Sequence, residues 1–191
     1  MGDPRRRRKK YNSPGHPYQE TRLESELVLV GKYGLRNKKE LWKARTRMGN
    51  YRAQAREILA LEAEERDERE GILITKLARL GIVEEGTTSD EVLGMEVEAI
   101  LSRRLQTLVL ETGHASTIHQ ARQLIAHRHI AIGGRVITSP SYLVPLQEED
   151  QIGYAPNSPF YNNPDHPTVK ESLSREATLV EIPKKTRGKR R

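Results

Sequence analysis

Residues Arg103 to Val144 read RRLQTLVLETGHASTIHQARQLIAHRHIAIGGRVITSPSYLV, and their periodicity changes partway along. Leu105, Leu108 and Val109 continue an apolar face that begins at Val97, Ile100 and Leu101. The spacing predicts one helix from Met95 to Glu111, with Arg103, Arg104 and Thr107 largely on another side and Gly113 as its stop. Thr117 and Gln120 match a capping box, in which hydroxyl and amide side chains satisfy the free N–H groups of a new helix start. Ala121, Leu124 and Ile125 form the inward face of that helix and leave His119, Arg122 and Gln123 available to a partner. Ile130, Ile132, Val136 and Ile137 then flank Gly133-Gly134, a pair able to take the positive φ angles of a tight hairpin. Tyr142 to Leu146 and Gln151 to Tyr154 are further strand candidates, separated by Glu148, Glu149 and Asp150. The order is helix, helix, hairpin, with a basic helix pair.

Toward the N-terminus, Leu23, Leu27 and Val30 recur at helical spacing until Gly31 and Gly34 interrupt them, which ends a short helix near Lys32. A basic field follows: Lys32, Arg36, Lys38, Lys39, Lys43, Arg45, Arg47, Arg52 and Arg56, with Glu40 the only acid among them. The charge then reverses over Glu57, Glu62, Glu64, Glu65, Asp67, Glu68 and Glu70, a helix-forming run that reads as a solvated face rather than a catalytic carboxylate pair. Leu73, Leu77 and Leu80 resume an apolar stripe that Gly81 can cap.

Both ends are tails of like charge. Arg5, Arg6, Arg7, Arg8, Lys9 and Lys10 open the chain, and Lys184, Lys185, Arg187, Lys189, Arg190 and Arg191 close it. A polyanion would relieve their repulsion and gain counterion entropy; solvated tails that only aid solubility are the alternative. Of the 191 residues 35% are hydrophobic, 31% charged and 5% aromatic, so core material is limited. The +7 charge arises from 33 Lys and Arg against 26 acids, and its local concentration matters more than its total. The absence of cysteine excludes disulfides, thiolate chemistry and Cys-based zinc motifs. No apolar run approaches the roughly 20 residues of a membrane span, and a cytosolic protein is expected. The fold class is α+β: a basic extension over 1–22, a mainly helical region over 23–94, a module with its lead-in helix over 95–156, and an irregular segment with a basic tail over 157–191.

Arg103-Arg104-Leu105, the Thr117-x-His119-x-Ala121-Arg122 helix start, Leu124-Ile125-x-His127-x-His129-Ile130, the Gly133-Gly134 hairpin and Pro140-Ser141, in that order, resemble the S4 RNA-binding domain. GDPRRRRKKY near the start, YGLRNKKELWKA at Tyr33 to Ala44 and the Leu101 to Leu110 helix extend the match to the ribosomal S4 family of archaeal and eukaryotic type. The resemblance implies a non-enzymatic constituent of the small ribosomal subunit in the cytoplasm. It implies a primary binder of small-subunit ribosomal RNA that nucleates the 5′ domain beside other small-subunit proteins, with a contribution to translational fidelity. It implies no cofactor, membrane or small-molecule substrate. The cysteine zinc site of some bacterial relatives does not carry over.

The RNA-binding candidates are Arg5 to Arg8, Lys9, Lys10, Lys43, Arg45, Arg47, Arg52, Arg103, Arg104, Thr117, His119, Arg122, Gln123, His127, Arg128, His129 and Arg135. Arginine suits the task because it binds phosphate through two donors without losing its charge; a solvated surface is the plain alternative for each. The three histidines could ligate a metal, but RNA contact or structural hydrogen bonding is favoured over an incomplete ligand set. Gly31-Lys32 is only a fragment of a phosphate loop. Two rivals remain, an S4-domain enzyme acting on RNA, for which no catalytic body is visible, and a non-ribosomal RNA-binding adaptor. If Arg103, Arg104 and Arg122 form an outer basic face, replacing all three with Gln leaves the fold intact.

Overall fold

The structure, a computed structural model, describes residues 2, 9–84 and 86–161. Arg5 to Arg8 and, from residue 162 on, the segment expected to be irregular with its C-terminal basic tail lie outside the described residues. The elements run α1 (Glu20–Lys32), α2 (Lys38–Leu59), α3 (Ala63–Arg79), α4 (Ser89–Gly94), α5 (Glu98–Ser102), α6 (Leu105–Glu111), α7 (Ile118–Ala126), β1 (Ile130–Ile132), β2 (Arg135–Val136), α8 (Leu146–Glu149) and β3 (Ile152–Tyr154).

The long α2 organises the N-terminal part. Asn37 caps it by accepting the Glu40 N–H at 3.2 Å. Leu41, Ala44, Met48, Tyr51, Ala55 and Ile58 then fall alternately three and four residues apart, so one face is buried along its whole length. Leu73 and Leu77 of α3, Val92 of α4, and Ile100 and Leu101 of α5 complete this first core. Apart from Glu57 on α2 and Glu62 at the N-cap, the acidic run lies in the first turns of α3, and its Glu70 accepts the Ser89 N–H at 2.6 Å at the start of α4. On α1 the expected apolar stripe holds in part: Leu23 and Val30 are half-buried and Val30 packs on the first core, but Leu27 is exposed and it is Glu26 that is wholly buried. Its carboxylate takes Trp42 Nε1 at 3.2 Å and Arg45 at 3.4 Å, with Lys38 at 3.4 Å and Arg22 at 3.7 Å. A buried carboxylate is tolerable only with this many donors and cations around it.

The second core collects Leu105, Leu108 and Val109 of α6, Ala121, Leu124 and Ile125 of α7, Ile130 and Ile132 of β1, Val144 and Ile152. Large-to-small changes here would each cost about 2–5 kcal/mol. The sheet has the order β2-β1-β3, antiparallel throughout, with Ile132 opposite both Arg135 and Ile152. Gly133 and Gly134, at φ 55° and 81°, make the two-residue turn that the sequence required. Thr117 caps α7 as expected, accepting the Gln120 N–H at 3.1 Å, while the Gln120 side chain accepts from the Ser116 N–H at 2.7 Å rather than from the cap residue itself.

Two expectations need correction. The helix drawn from Met95 to Glu111 is broken: α5 ends at Ser102, Arg104 is extended at ψ 141°, and α6 starts afresh. The lead-in α5 packs in the first core, so the change of core falls between Leu101 and Leu105. The cause is the segment read as a strand from Tyr142 to Leu146. It pairs with the break instead of with the sheet: Leu105 N–H donates to Tyr142 O at 2.8 Å, Val144 N–H to Arg103 O at 3.1 Å, and Arg104 bridges Leu143. Backbone bonds from a distant segment replace helical ones, and tertiary pairing overrides local propensity. Leu146 already belongs to α8.

Candidate nucleic-acid interface

The break decides where the paired arginines go. Instead of decorating an outer face, Arg103 and Arg104 are 9% and 4% exposed. Arg103 donates to Glu149 at 2.8 Å and to the Val144 carbonyl at 3.2 Å, and lies so close beneath Gly81 that a Cβ there would stand 2.9 Å from its Cζ. Arg104 donates to Glu40 at 2.7 Å. Arg122, half-buried on α7, reaches the other oxygen of the same carboxylate at 2.6 Å and also Gln106 Oε1 at 3.1 Å. The outer basic face expected of these three residues is therefore an internal network, because each cation meets a carboxylate or carbonyl from another element.

Glu40 is the node of that network and joins the N-terminal helices to the S4-like module. Burial alone would raise its carboxyl, but the hydrogen bonds and charges of Arg122 and Arg104 outweigh that and hold it below the ordinary carboxylate value. Burial pulls Arg104 down against the lift from Glu40; a guanidinium starts so high that it stays charged at neutral pH. Beside them, buried Gln106 donates to the carbonyls of Gly34 and Ile118 at 3.1 and 2.9 Å, tying the α1–α2 turn to α7. Gly34 has φ 54°, and a Cβ there would lie 2.7 Å from Ile118, so both conformation and space demand glycine.

Above the network opens a cleft of about 200 Å³ lined by Glu40, Lys43, Ala44, Arg47, Ile100, Arg104, Arg122, Pro140, Ser141 and Leu143. Lys43 and Arg47, one turn apart on α2, are exposed and make no ion pair among the described residues. Of the sequence candidates, Lys43, Arg47, Arg104 and Arg122 are thus brought together here.

A second group lies where α7 meets β1. Arg128 is the only non-glycine with positive φ among the described residues, at 68°. Its N–H bonds Ile125 O at 3.1 Å and the next N–H, of His129, bonds Leu124 O at 3.0 Å, a helix ending that α1, α3 and α6 make on Gly34, Gly81 and Gly113. Arg128, His127 and Arg135 are all exposed. His129 turns inward, its Nδ1 3.1 Å from Ser158 Oγ and its ring edge-on to Phe160 at 5.0 Å. Burial first, and His127 second, hold it below its ordinary value, so it is a neutral packing ring at physiological pH. Arg128→Gly is expected to remove strain of roughly 1 kcal/mol, raising the melting temperature by about 2–4 °C, while affinity for small-subunit ribosomal RNA falls by up to about fivefold, the scale of one exposed charge contact. Thermal melting and RNA titration of one preparation check both; a gain in stability with unchanged affinity removes Arg128 from the interface.

The remaining candidates are dispersed. Arg45 is occupied with Glu26, and Arg52 donates to the Met95 carbonyl between α2 and the α4–α5 turn. Thr117, His119 and Gln123 are exposed at α7, with the Thr117 hydroxyl engaged in capping. Lys9 and Lys10 are exposed, and the extension behind them is fixed by Tyr11 against Trp42, ring centroids 5.8 Å apart, and by the Asn12 N–H on Thr46 Oγ1 at 3.0 Å. Glu40, Gln106 and Ser141 were not among the expected site residues. The signal for Glu40 was present, as the single acid in a field of nine cations.

Comparison with known proteins agrees with this architecture. The S4 domain family matches residues 103–152. The small ribosomal subunit protein uS4 of Sulfurisphaera tokodaii is 53% identical over 174 residues, covering 91% of this chain and 98% of that protein. Those of Metallosphaera sedula and Sulfolobus acidocaldarius are each 54% identical over 165 residues, covering 86% of this chain and 92% and 94% of theirs. With identity above one half across nearly the full length of those proteins, the chain belongs to the small ribosomal subunit protein uS4 family.

Proposed function

We propose that this protein is a structural, non-enzymatic constituent of the small ribosomal subunit in the cytoplasm, and that it binds small-subunit ribosomal RNA with its S4 module and the adjoining face of α2. Its family membership makes the ribosomal role the leading one, and the observation that carries the RNA surface is the cleft where unpaired Lys43 and Arg47 stand over a fixed pair of arginines. A rigid scaffold that presents free cations on one side suits folded RNA, whose backbone supplies most of the affinity. Neighbouring small-subunit proteins are the fitting partners for surfaces turned away from RNA, among them the acidic outer part of α3. An early contact that organises the 5′ domain, with an influence on decoding fidelity, is the finer form of the same proposal. The protein should cofractionate with small subunits and stay attached through a moderate-salt wash. Its absence from washed small subunits would overturn the reading, even if the purified chain bound RNA.

A further inference from the structure

We propose that the cleft between α2 and the S4 module is a pocket for one phosphate group of the RNA backbone, with Lys43 and Arg47 as its closing arms and Glu40 as the positioning residue behind it. The inference rests on the RNA-binding reading above and adds where, and by which groups, a phosphate is held. Four cations line the cleft against one carboxylate. Glu40 has both oxygens engaged, one by Arg104 and one by Arg122, which leaves three formal positive charges facing the opening. That excess attracts an anion from outside the chain. Arg104, 4% exposed, forms the floor of the cleft, and what it presents there is its guanidinium charge: its Nε, like those of Arg22, Arg52 and Arg103, is shielded from solvent and has no hydrogen-bond partner among the described residues. Ser141 offers a hydroxyl at the rim, and Ala44, Ile100, Pro140 and Leu143 give an apolar wall against which the carbon edge of a ribose can rest. The size is right for a phosphodiester with part of its sugar rather than for a base pair or a helix. Glu40 has a defined task in this arrangement: by holding two guanidinium groups side by side it lets them approach closely, so a phosphate meets a preset pair and only the two arms must move.

The test uses the full chain and small-subunit ribosomal RNA. Lys43→Gln/Arg47→Gln alters exposed side chains outside both cores, so its circular dichroism and melting temperature should match the parent. Because both arms serve one phosphate, its slope of log affinity against log salt should shrink by about one unit, and not by two. Lys43→Arg/Arg47→Lys should restore most of the affinity, and Arg69→Gln on α3 should behave as the parent. An unchanged slope in a folded double variant overturns the pocket, as does a loss near two units, which would place the arms on separate phosphates. A parent chain that fails to bind the RNA at all overturns the wider reading instead. Inorganic pyrophosphate at constant ionic strength separates the sources: if it raises the melting temperature of the parent but not of the double variant, and the RNA slope is unchanged, the pocket serves a free phosphate compound and the RNA assignment falls.

Discussion

Glu40→Ala is expected to lower stability by about 3–5 kcal/mol, the range for stranding a buried charge by deleting its partner. At about 2–4 °C per kcal/mol for a chain of this size, the melting temperature should fall by about 6–20 °C. The size of the effect comes from Arg104, which cannot swing out to water from between α2, α6 and the Tyr142 to Val144 segment, and so stays charged and unpaired. Glu40→Gln should cost less, because an amide oxygen still accepts one of the two guanidinium groups. A pH series isolates the mechanism. The folded Glu40 carboxyl is depressed, so its contribution is fully present above the unfolded value near 4.5 and disappears as pH falls through the lower folded value. In Glu40→Ala the acid limb of the stability curve should therefore be shallower than in the parent. Glu70, held down by the Ser89 N–H, titrates in the same direction in both proteins and cancels in the comparison. A variant as stable as the parent at neutral pH would show that the network is incidental to the fold.

The parts of this fold that were legible in the sequence are those set by local chemistry. Gly133-Gly134 announces its turn because only glycine takes both angles easily, and Thr117 announces α7 because its hydroxyl is within reach of a free N–H. The inward positions Leu105, Leu108, Ala121, Leu124 and Ile125 are buried as their spacing indicated. What could not be seen was set at a distance. Nothing in Leu101 to Leu105 signals a broken helix; the break exists because residues 142–144 supply the hydrogen bonds that the helix gives up. Once the break is unknown, Arg103 and Arg104 are assigned to the wrong side, and a structural network is read as an open basic face. The interior stripe of α2 is not legible either, since the charged residues between Leu41 and Ile58 mask the apolar ones. Burial of Glu26 was equally invisible, because its donors come from α1 and α2 together.

The same correction reverses the outcome for Arg103→Gln/Arg104→Gln/Arg122→Gln. An outer basic face would tolerate the change; the observed network should not, and cooperative unfolding is expected to be lost or moved to a much lower temperature. Glu40 would keep its charge at the domain junction with both cations gone. Glu149 would lose Arg103, though at 31% side-chain exposure it can be partly rehydrated, so its share lies at the lower end. Breaking two such pairs at about 3–5 kcal/mol each approaches the whole stability of a typical domain, about 5–15 kcal/mol. The costs will not add simply, because Arg104 and Arg122 share one carboxylate: removing Arg122 alone leaves Glu40 paired with Arg104, and removing both leaves it with neither. Stability should therefore drop more in the Arg104/Arg122 double variant than the sum of the singles indicates. Circular dichroism through a thermal or urea transition measures this directly, and the Lys43/Arg47 double variant is the contrast, since it removes as many cations as the Arg104/Arg122 pair from the same cleft without touching the network. If the triple variant melts like the parent, Arg103 and Arg104 are not buried in solution and the broken helix between α5 and α6 is wrong.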